Sequence, residues 1–566
     1  MSGWRKAVAA AALALLAWVY GTALAAPAVG LFHDDGVYAV TAKALATGRG
    51  YRIVSLPGEI PQTKYPILFP ALLAVVWKAC PRFPGNIVWL KLVPFAGAVA
   101  WCAVGYRLLR AKTGSVRVAM VLAALLAISP WVLFLGTALL SETLFAALTA
   151  GTLLVLGRIE QGRCGWWKIA GAAILASAAF LTRTVGVAGV ASGALVILLW
   201  AGRRRAIVFL LIAGAISAPW IAWQMSQARS AVPTEAYYAA ANYGHWDILF
   251  HFTLGQKARI LGGNLLGVWT SPALLMGVPP SGWGAALAVL AGGLVTAGFW
   301  RRLRRRPCAT EILTVVYVGV ILSWAWPPKR FLAPLLPLLL LYGYEGAEFA
   351  CRKLVRNARG AQAALVMAAL LFTIPAARTL ADMTSVVRET GAVPEPNTAQ
   401  DDWREITRLV AWLNGNTAGD AVLMGNLDPA LYLYTGRKSV RGFQQDPYRL
   451  HYDPRRDEWP LGSPAEMRRA IGESHAGYLI GTPNLAFRES APLDQLTREL
   501  VQGYPGEFRV VYESRDARYR VYRTLSGECA GNLSDPSNFA KGRGRLASYQ
   551  TITSVQTEEE RKEASP

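Results

Sequence analysis

The stretch Leu31-Phe32-His33-Asp34-Asp35-Gly36-Val37-Tyr38 follows directly on an apolar run that begins near position 7. Two adjacent carboxylates at the mouth of such a run are costly to remove from water, so they either stop a membrane span as a solvated loop or serve a purpose there. Working outward decides the class of the chain. Of its 566 residues, 53% are hydrophobic and only 17% charged, and apolar runs of bilayer length recur as far as Arg378. About 20 apolar residues cross a bilayer as a helix. The pattern predicts a polytopic α-helical membrane protein followed by a polar C-terminal part.

The net charge of +22 raises nucleic acid as a partner, but the distribution of the basic residues excludes it. They fall in short loops between apolar runs: Arg107/Arg110/Lys112/Arg117, Arg158/Arg163/Lys168, Arg203/Arg204/Arg205, Arg301/Arg302/Arg304/Arg305/Arg306 and Arg352/Lys353/Arg356/Arg359. Clusters of this kind mark cytoplasmic loops and can meet anionic lipid. Spans near 7–30, 86–108, 116–135, 138–157, 168–182, 185–200, 206–225, 281–300, 309–327, 331–350 and 361–378 put every cluster on one side. About eleven spans result. Arg5 and Lys6 before the first run resemble a secretory signal, yet its apolar length favours an uncleaved first helix. The segment 66–79, only about 14 residues long, reads as re-entrant or interfacial.

This topology places three regions on the outer side. The first loop, 31–85, holds the Asp pair and Lys64; the stretch 226–280 is rich in aromatics, including Tyr237, Tyr238, Tyr243, His245, Trp246, Asp247 and Trp269; the third is the turn Trp326-Pro327-Pro328-Lys329-Arg330. An apolar stretch at 260–277 is too broken by Gly and Pro to read as a span. From about 385 strand-like runs alternate with helical ones, at 403–414, 420–425, 477–480, 509–512 and 519–522, which predicts a small α/β domain over 385–525. The polar residues 526–566 read as a disordered tail. The six cysteines show neither metal-site spacing nor a disulfide framework.

Ser141-Glu142, Leu181-Thr182-Arg183, Lys64 and Lys329-Arg330 all fall at the outer ends of spans with Asp34 and Asp35. Taken singly, Glu142 could be a helix N-terminal charge and the cations snorkelling side chains. Taken together they suit one reaction. A carboxylate can take the proton of an acceptor hydroxyl, while Lys and Arg hold a phosphate leaving group. A lipid-linked phosphosugar would then arrive from the bilayer. The rival class is a transporter or lipid flippase, which should carry polar groups at span centres and often repeated halves; no repeat is visible here. A secreted soluble protein is excluded by the number of apolar runs.

The ordered set Asp34-Asp35-Gly36-Val37-Tyr38, Lys64-Tyr65-Pro66, Arg107–Arg117, Ser129-Pro130, Ser141-Glu142, Leu181-Thr182-Arg183 and Arg330-Phe331-Leu332-Ala333-Pro334 resembles the GT-C superfamily of integral-membrane glycosyltransferases. Within it the chain looks like bacterial relatives of protein O-mannosyltransferases and lipid A aminoarabinose transferases. The likeness covers roughly 5–345, and Leu431–Arg437 resembles the outer soluble domain of many members. The resemblance implies a transmembrane transferase domain over 1–380 in the plasma (inner) membrane, with the active site and the C-terminal domain extracytoplasmic. It implies a polyprenyl-phosphate-linked sugar as donor and a protein, glycolipid or polysaccharide as acceptor, joined by an inverting displacement. Asp34 matches the family's first-loop catalytic acid. Asp35 stands where Glu is frequent, so either Asp35 or Glu142 is expected to assist. Lys64 matches the phosphate-contacting lysine, with Lys-Tyr-Pro in place of Lys-Pro-Pro, and Arg183, Lys329 and Arg330 fall at other basic positions of the cavity. His33 reads as a bystander. Some relatives use a divalent ion; here the only signature for one is the acidic groups themselves.

Overall fold

The computed structural model describes residues 3–227, 238, 248, 250–305, 307–355, 358–443, 446–453, 460–483, 485 and 490–525. Most of the aromatic region around Tyr237, Tyr243, His245, Trp246 and Asp247, and the tail 526–566, lie outside the described residues.

The chain is a multi-pass membrane protein with a small C-terminal sheet. Its helices run α1 (Gly3–Ala25), α2 (Asp34–Ala46), α3 (Leu68–Ala79), α4 (Ile87–Thr113), α5 (Val116–Ala127), α6 (Pro130–Thr137), α7 (Glu142–Glu160), α8 (Trp166–Thr182), α9 (Val187–Ala201) and α10 (Arg203–Gln227). Beyond the aromatic region come α11 (Leu254–Leu274), α12 (Trp283–Arg305), α13 (Ala309–Leu322), the single turn α14 (Lys329–Leu332), α15 (Leu336–Leu354) and α16 (Ala358–Thr390). Among the described residues six helices are long and apolar enough to cross a bilayer: α4, α7, α9 with its leading turn, α10, α12 and α16. The pair α5–α6 makes a seventh if counted as one span.

Several of the expected spans therefore fall on shorter or more charged helices, and the reasons are local. Helix α5 stops at Ser129-Pro130, where proline has no N–H to continue the ladder; α6 restarts at a bend of 57°. The Ser129 hydroxyl donates to the Leu275 carbonyl at 2.7 Å and fixes that corner. Helix α15 ends in Glu345, Glu348, Arg352 and Lys353, too many charges for a simple span. The stretch 260–277, too broken by Gly and Pro to read as a span, falls on the continuous helix α11, which is not among the helices long and apolar enough to cross a bilayer. It is opened by a capping box at Thr253 and Gln256 and tolerates Pro272 in its last turn.

Charge gathers at both ends of α7. Past its C-terminal end, Arg302 reaches Glu311 at 2.8 Å and Glu345 at 2.6 Å, and Lys112 lies 3.7 Å from Glu160. The ends of α4, α7, α12, α13 and α15 are joined there. At the other end lies Glu142, about 28 Å away by helix rise.

The C-terminal part contains α17 (Trp403–Asn416), β1 (Val422–Gly425), α18 (Asp428–Thr435), β2 (Ser439–Val440), α19 (Pro447–His451), α20 (Pro464–Ser474), β3 (Ala476–Gly481), α21 (Ser490–Gly503), β4 (Phe508–Glu513) and β5 (Arg520–Thr524). The sheet order is β2-β1-β3-β5-β4, with parallel pairing of β1 to β2 and β3, and antiparallel pairing of β5 to β3 and β4. Strands alternating with helices and closing on a hairpin match the α/β reading. Arg437 ties the crossover down, donating to the Ala418, Thr417, Thr435 and Asn414 carbonyls and to the Asn414 side chain.

This sheet is not a bead on a string. One buried apolar cluster joins Val37, Tyr38, Phe69 and Trp77 of α2 and α3 to Met424, Tyr432, Val440 and Leu479. Ser439 N–H donates to the Ser55 carbonyl at 2.9 Å, and Lys438 Nζ reaches Val54 O at 2.7 Å and Glu59 at 2.6 Å. The first loop is thus packed between the membrane helices and the sheet.

Candidate active site

The Asp pair is not a solvated loop. It forms the first turn of α2, where the exposed amides of a helix N-terminus favour negative charge. The two carboxylates point into different surroundings. Asp35 is 3% exposed and accepts from the amides of Gly30 (2.6 Å), Phe32 (2.9 Å) and Gly36 (2.9 Å). Its bonds close the turn from α1 into α2. Burial pushes its pKa up to about 6, against the lowering effect of those amides and with a further raising effect from Asp34.

Asp34 faces the other way. Its side chain keeps 21% of its surface; Tyr65 Oη donates to Oδ1 at 2.5 Å and Arg330 Nη2 lies 2.9 Å from Oδ2. Burial works to raise the carboxyl, but Arg330, the Tyr65 hydroxyl, Lys64 and Arg183 together hold it below the ordinary carboxylate value. Arg330, on α14, bridges onward from Asp34 to Glu142 at the start of α7, using Nε for Glu142 Oε1. Glu142 is 1% exposed and also meets Arg183 Nη1 at 3.0 Å, beyond the end of α8. Arg183 Nη1 further donates to Ser141 Oγ at 3.2 Å, which is 2.9 Å from the Tyr38 hydroxyl on α2. The Phe331 ring covers the Arg183 guanidinium at 5.6 Å.

A continuous chain of polar groups therefore runs Tyr65–Asp34–Arg330–Glu142–Arg183–Ser141–Tyr38. It is supplied by the first loop and by the ends of α2, α7, α8 and α14. Asp34, Glu142, Arg183 and Arg330, widely separated in sequence, are brought together. Glu142 is more than a helix-terminal charge, and neither arginine snorkels.

Lys64 is half-buried beside this chain, its Nζ 5.5 Å from the Tyr65 ring, and acts electrostatically on Asp34 and His33. Lys329 turns elsewhere, to Glu395 at 3.0 Å and over the Trp131 ring at 4.7 Å. The hydroxyls of Tyr65, Tyr38 and Ser141 were missed as site groups, although Tyr65 occupies the very position where Lys-Tyr-Pro departs from Lys-Pro-Pro.

A divalent ion does not fit this donor set. The two carboxylates that face each other here, Asp34 and Glu142, are bridged by the Arg330 guanidinium, whose positive charge opposes a second cation between them. Among the described residues no group of three or more His, Cys, Asp or Glu side chains is placed to hold an ion.

No protein-family model matches the sequence, and no curated protein matches it. Solved structures do. ArnT from Cupriavidus metallidurans bound to undecaprenyl phosphate superposes with a TM-score of 0.55 at 12% identity, over 93% of this chain and 99% of that one. The same protein in the apo state gives 0.54 at 13% identity, over 92% and 98%. The oligosaccharyltransferase AglB from Archaeoglobus fulgidus, in complex with an inhibitory peptide and a dolichol-phosphate, gives 0.51 at 13% identity, over 93% and 75%. Identities this low report on architecture alone. The architecture of this chain, from the membrane helices through the C-terminal sheet, is the one that ArnT and AglB share.

Proposed function

We propose that the chain transfers a sugar from a polyprenyl-phosphate-linked donor to an acceptor hydroxyl, on the extracytoplasmic side of the plasma (inner) membrane. The observation that carries this reading is the run of alternating charges from Asp34 through Arg330 and Glu142 to Arg183. A base and two guanidinium groups within one connected site are what the displacement requires. Undecaprenyl phosphate and dolichol-phosphate, bound by proteins of the same fold, support this class of lipid carrier.

The acceptor oxygen attacks the anomeric carbon of the donor. The bond from that carbon to the phosphate oxygen breaks, its electron pair leaving on the polyprenyl phosphate, and the acceptor proton passes to Asp34 and then to water. The configuration at the anomeric carbon inverts. A carboxylate held below its ordinary pKa is a weak base; engagement of Arg330 by the donor phosphate weakens its hold on Asp34 and raises that basicity as the substrate binds. Arg330 and Arg183 then neutralise the charge developing on the leaving phosphate, and Glu142 holds both guanidinium groups in place. Lys64 extends the cationic wall, whereas Lys329, paired with Glu395, lies at its edge. Asp35, tied to three backbone amides, is a positioning residue rather than a second base.

In this reading 1–380 form the transferase domain, where the shorter apolar helices complete about eleven spans, and 385–525 form an outer domain. The sugar is a hexose or a pentose, and the acceptor a protein, glycolipid or polysaccharide. The test is release of undecaprenyl phosphate from its sugar-loaded forms, with a membrane extract as acceptor. Asp34→Asn should abolish release in a correctly folded preparation while undecaprenyl phosphate still binds; retained release would falsify the assignment.

A further inference from the structure

His33 immediately precedes Asp34, and its backbone has a positive φ, +58° with ψ −58°, at the centre of a γ-turn in which the Asp34 N–H donates to the Phe32 carbonyl at 2.6 Å. A non-glycine residue seldom holds that conformation unless its surroundings enforce it. The enforcing surroundings come from the C-terminal part, through Asp428, and from Tyr238 of the aromatic region. The imidazole is 7% exposed; its Nδ1 lies 3.7 Å from Asp428 Oδ1, and its centroid 5.5 Å from that of the Tyr238 ring. Asp428, the first residue of α18, is fully buried. The Tyr238 hydroxyl donates to its Oδ2, and Arg441 Nε lies 3.9 Å from its Oδ1.

The backbone on either side of His33 is equally constrained. A Cβ at Gly30, φ +94°, would stand 2.7 Å from the Ala430 Cβ, and one at Gly36 would stand 2.7 Å from the Pro429 Cβ. Real Cβ contacts are not that short, so Asp428-Pro429-Ala430 fits the turn 30–36 as a seat made for glycine. Further out, Tyr434 Oη donates to the Pro27 carbonyl at 3.3 Å. At 3.7 Å the His33–Asp428 approach exceeds a hydrogen bond; it acts by packing.

We propose that His33 and Asp428 are positioning residues, through which the C-terminal sheet fixes the backbone of Asp34 for proton abstraction. The C-terminal part thereby completes the active site, whatever acceptor it also meets. This rests on the reading of Asp34 as the base. The seat works through placement: a misplacement of about 1 Å can cost ~100-fold in rate without loss of binding.

The test uses the full-length protein in detergent and the variants His33→Asn, Asp428→Asn and the double. Asparagine tolerates φ > 0 at 33 and keeps an acceptor for Tyr238 at 428, and thermal unfolding verifies that each variant is folded. With arabinosyl, mannosyl and glucosyl undecaprenyl phosphate as donors, kcat should fall ~10- to 100-fold in each single variant, with KM for the donor within about twofold. The double variant should be no worse than the more damaging single one, because both changes break one contact. Hydrogen exchange at the Gly30, Phe32 and Gly36 amides, which donate to Asp35, should accelerate about tenfold or more in Asp428→Asn. The proposal is overturned if Asp428→Asn keeps its kcat, if the two losses multiply, or if those amides stay protected. Should the wild-type protein release no undecaprenyl phosphate from any donor, the transferase reading fails. The exchange measurement then decides the seat by itself: acceleration upholds it and unchanged protection removes it.

Discussion

Asp34 is pulled in two directions by its neighbours. Tyr65 and Arg330 take one oxygen each, and the balance of burial against these partners leaves the carboxyl below its ordinary pKa. A lowered carboxylate pKa stabilises the fold above the unfolded value of about 4, and that stability is lost as pH falls through the folded value. Tyr65→Phe deletes one lowering partner, so the acid limb of the pH–rate profile should move to higher pH while the donor KM stays put. Arg330→Lys should cost ~100-fold or more in kcat/KM, since a lysine has no planar fork to span Asp34 and Glu142; steady-state kinetics checks both. The charged members of the site were legible in the sequence because a carboxylate or guanidinium at a span end is conspicuous. The hydroxyls of Tyr38, Tyr65 and Ser141 were not, because such residues look alike whether they pack or bond. Lys329 and Arg330 were indistinguishable for a different reason. Adjacent residues on one helical turn point in divergent directions, and nothing in the sequence fixes the phase of a four-residue helix.

Helix α2 was hidden in what read as a loop, because most of its side chains are buried between two partners and no polar stripe betrays a helical period. Its close contact with α18 makes Gly36 irreplaceable. Gly36→Ala should destabilise the protein by about 1–3 kcal/mol through overpacking against Pro429 and lower its thermal unfolding midpoint. Helix α18 carries a second measurable property. Burial pushes the Asp428 pKa up to about 7, against the lowering effects of Arg441 and the Tyr238 hydroxyl. The folded state therefore holds this proton more tightly than the unfolded chain, and its contribution to stability is present at low pH and lost as pH rises from about 4 to about 7. The effect is on the order of 4 kcal/mol at most. Asp428→Asn should flatten the fall in unfolding midpoint over that window. Elements announced by composition, such as β3, β4 and α17, were read within a few residues; the bend at Ser129-Pro130 was not, the stretch 116–135 having been read as one span.

At the scale of the molecule, Lys112, Glu160, Arg302, Glu311 and Glu345 gather at one end of α7, and Glu142 with Arg183 and Arg330 at the other. The count of spans was less legible, because short helices such as α3, α8 and α13 owe their burial to neighbours rather than to length. The proposed orientation predicts that, in a cysteine-free background, Gln161→Cys is labelled by an impermeant maleimide only from the cytoplasmic side. Glu473→Cys should be labelled only from outside; labelling of both from one side overturns the orientation.

The shared core of the first loop and the sheet also has a consequence for how the protein is made. The seat for Gly30 is Ala430, about 400 residues later in the chain. At roughly 5–20 residues per second, a ribosome takes on the order of 20–80 s to cover that interval. Throughout it the apolar faces of α2 and α3 have been translated but their covering strands have not. The nascent first loop must therefore wait, held by the membrane surface or by a chaperone, and a strain short of such a holdase should lose this protein to proteolysis before its last strand is made.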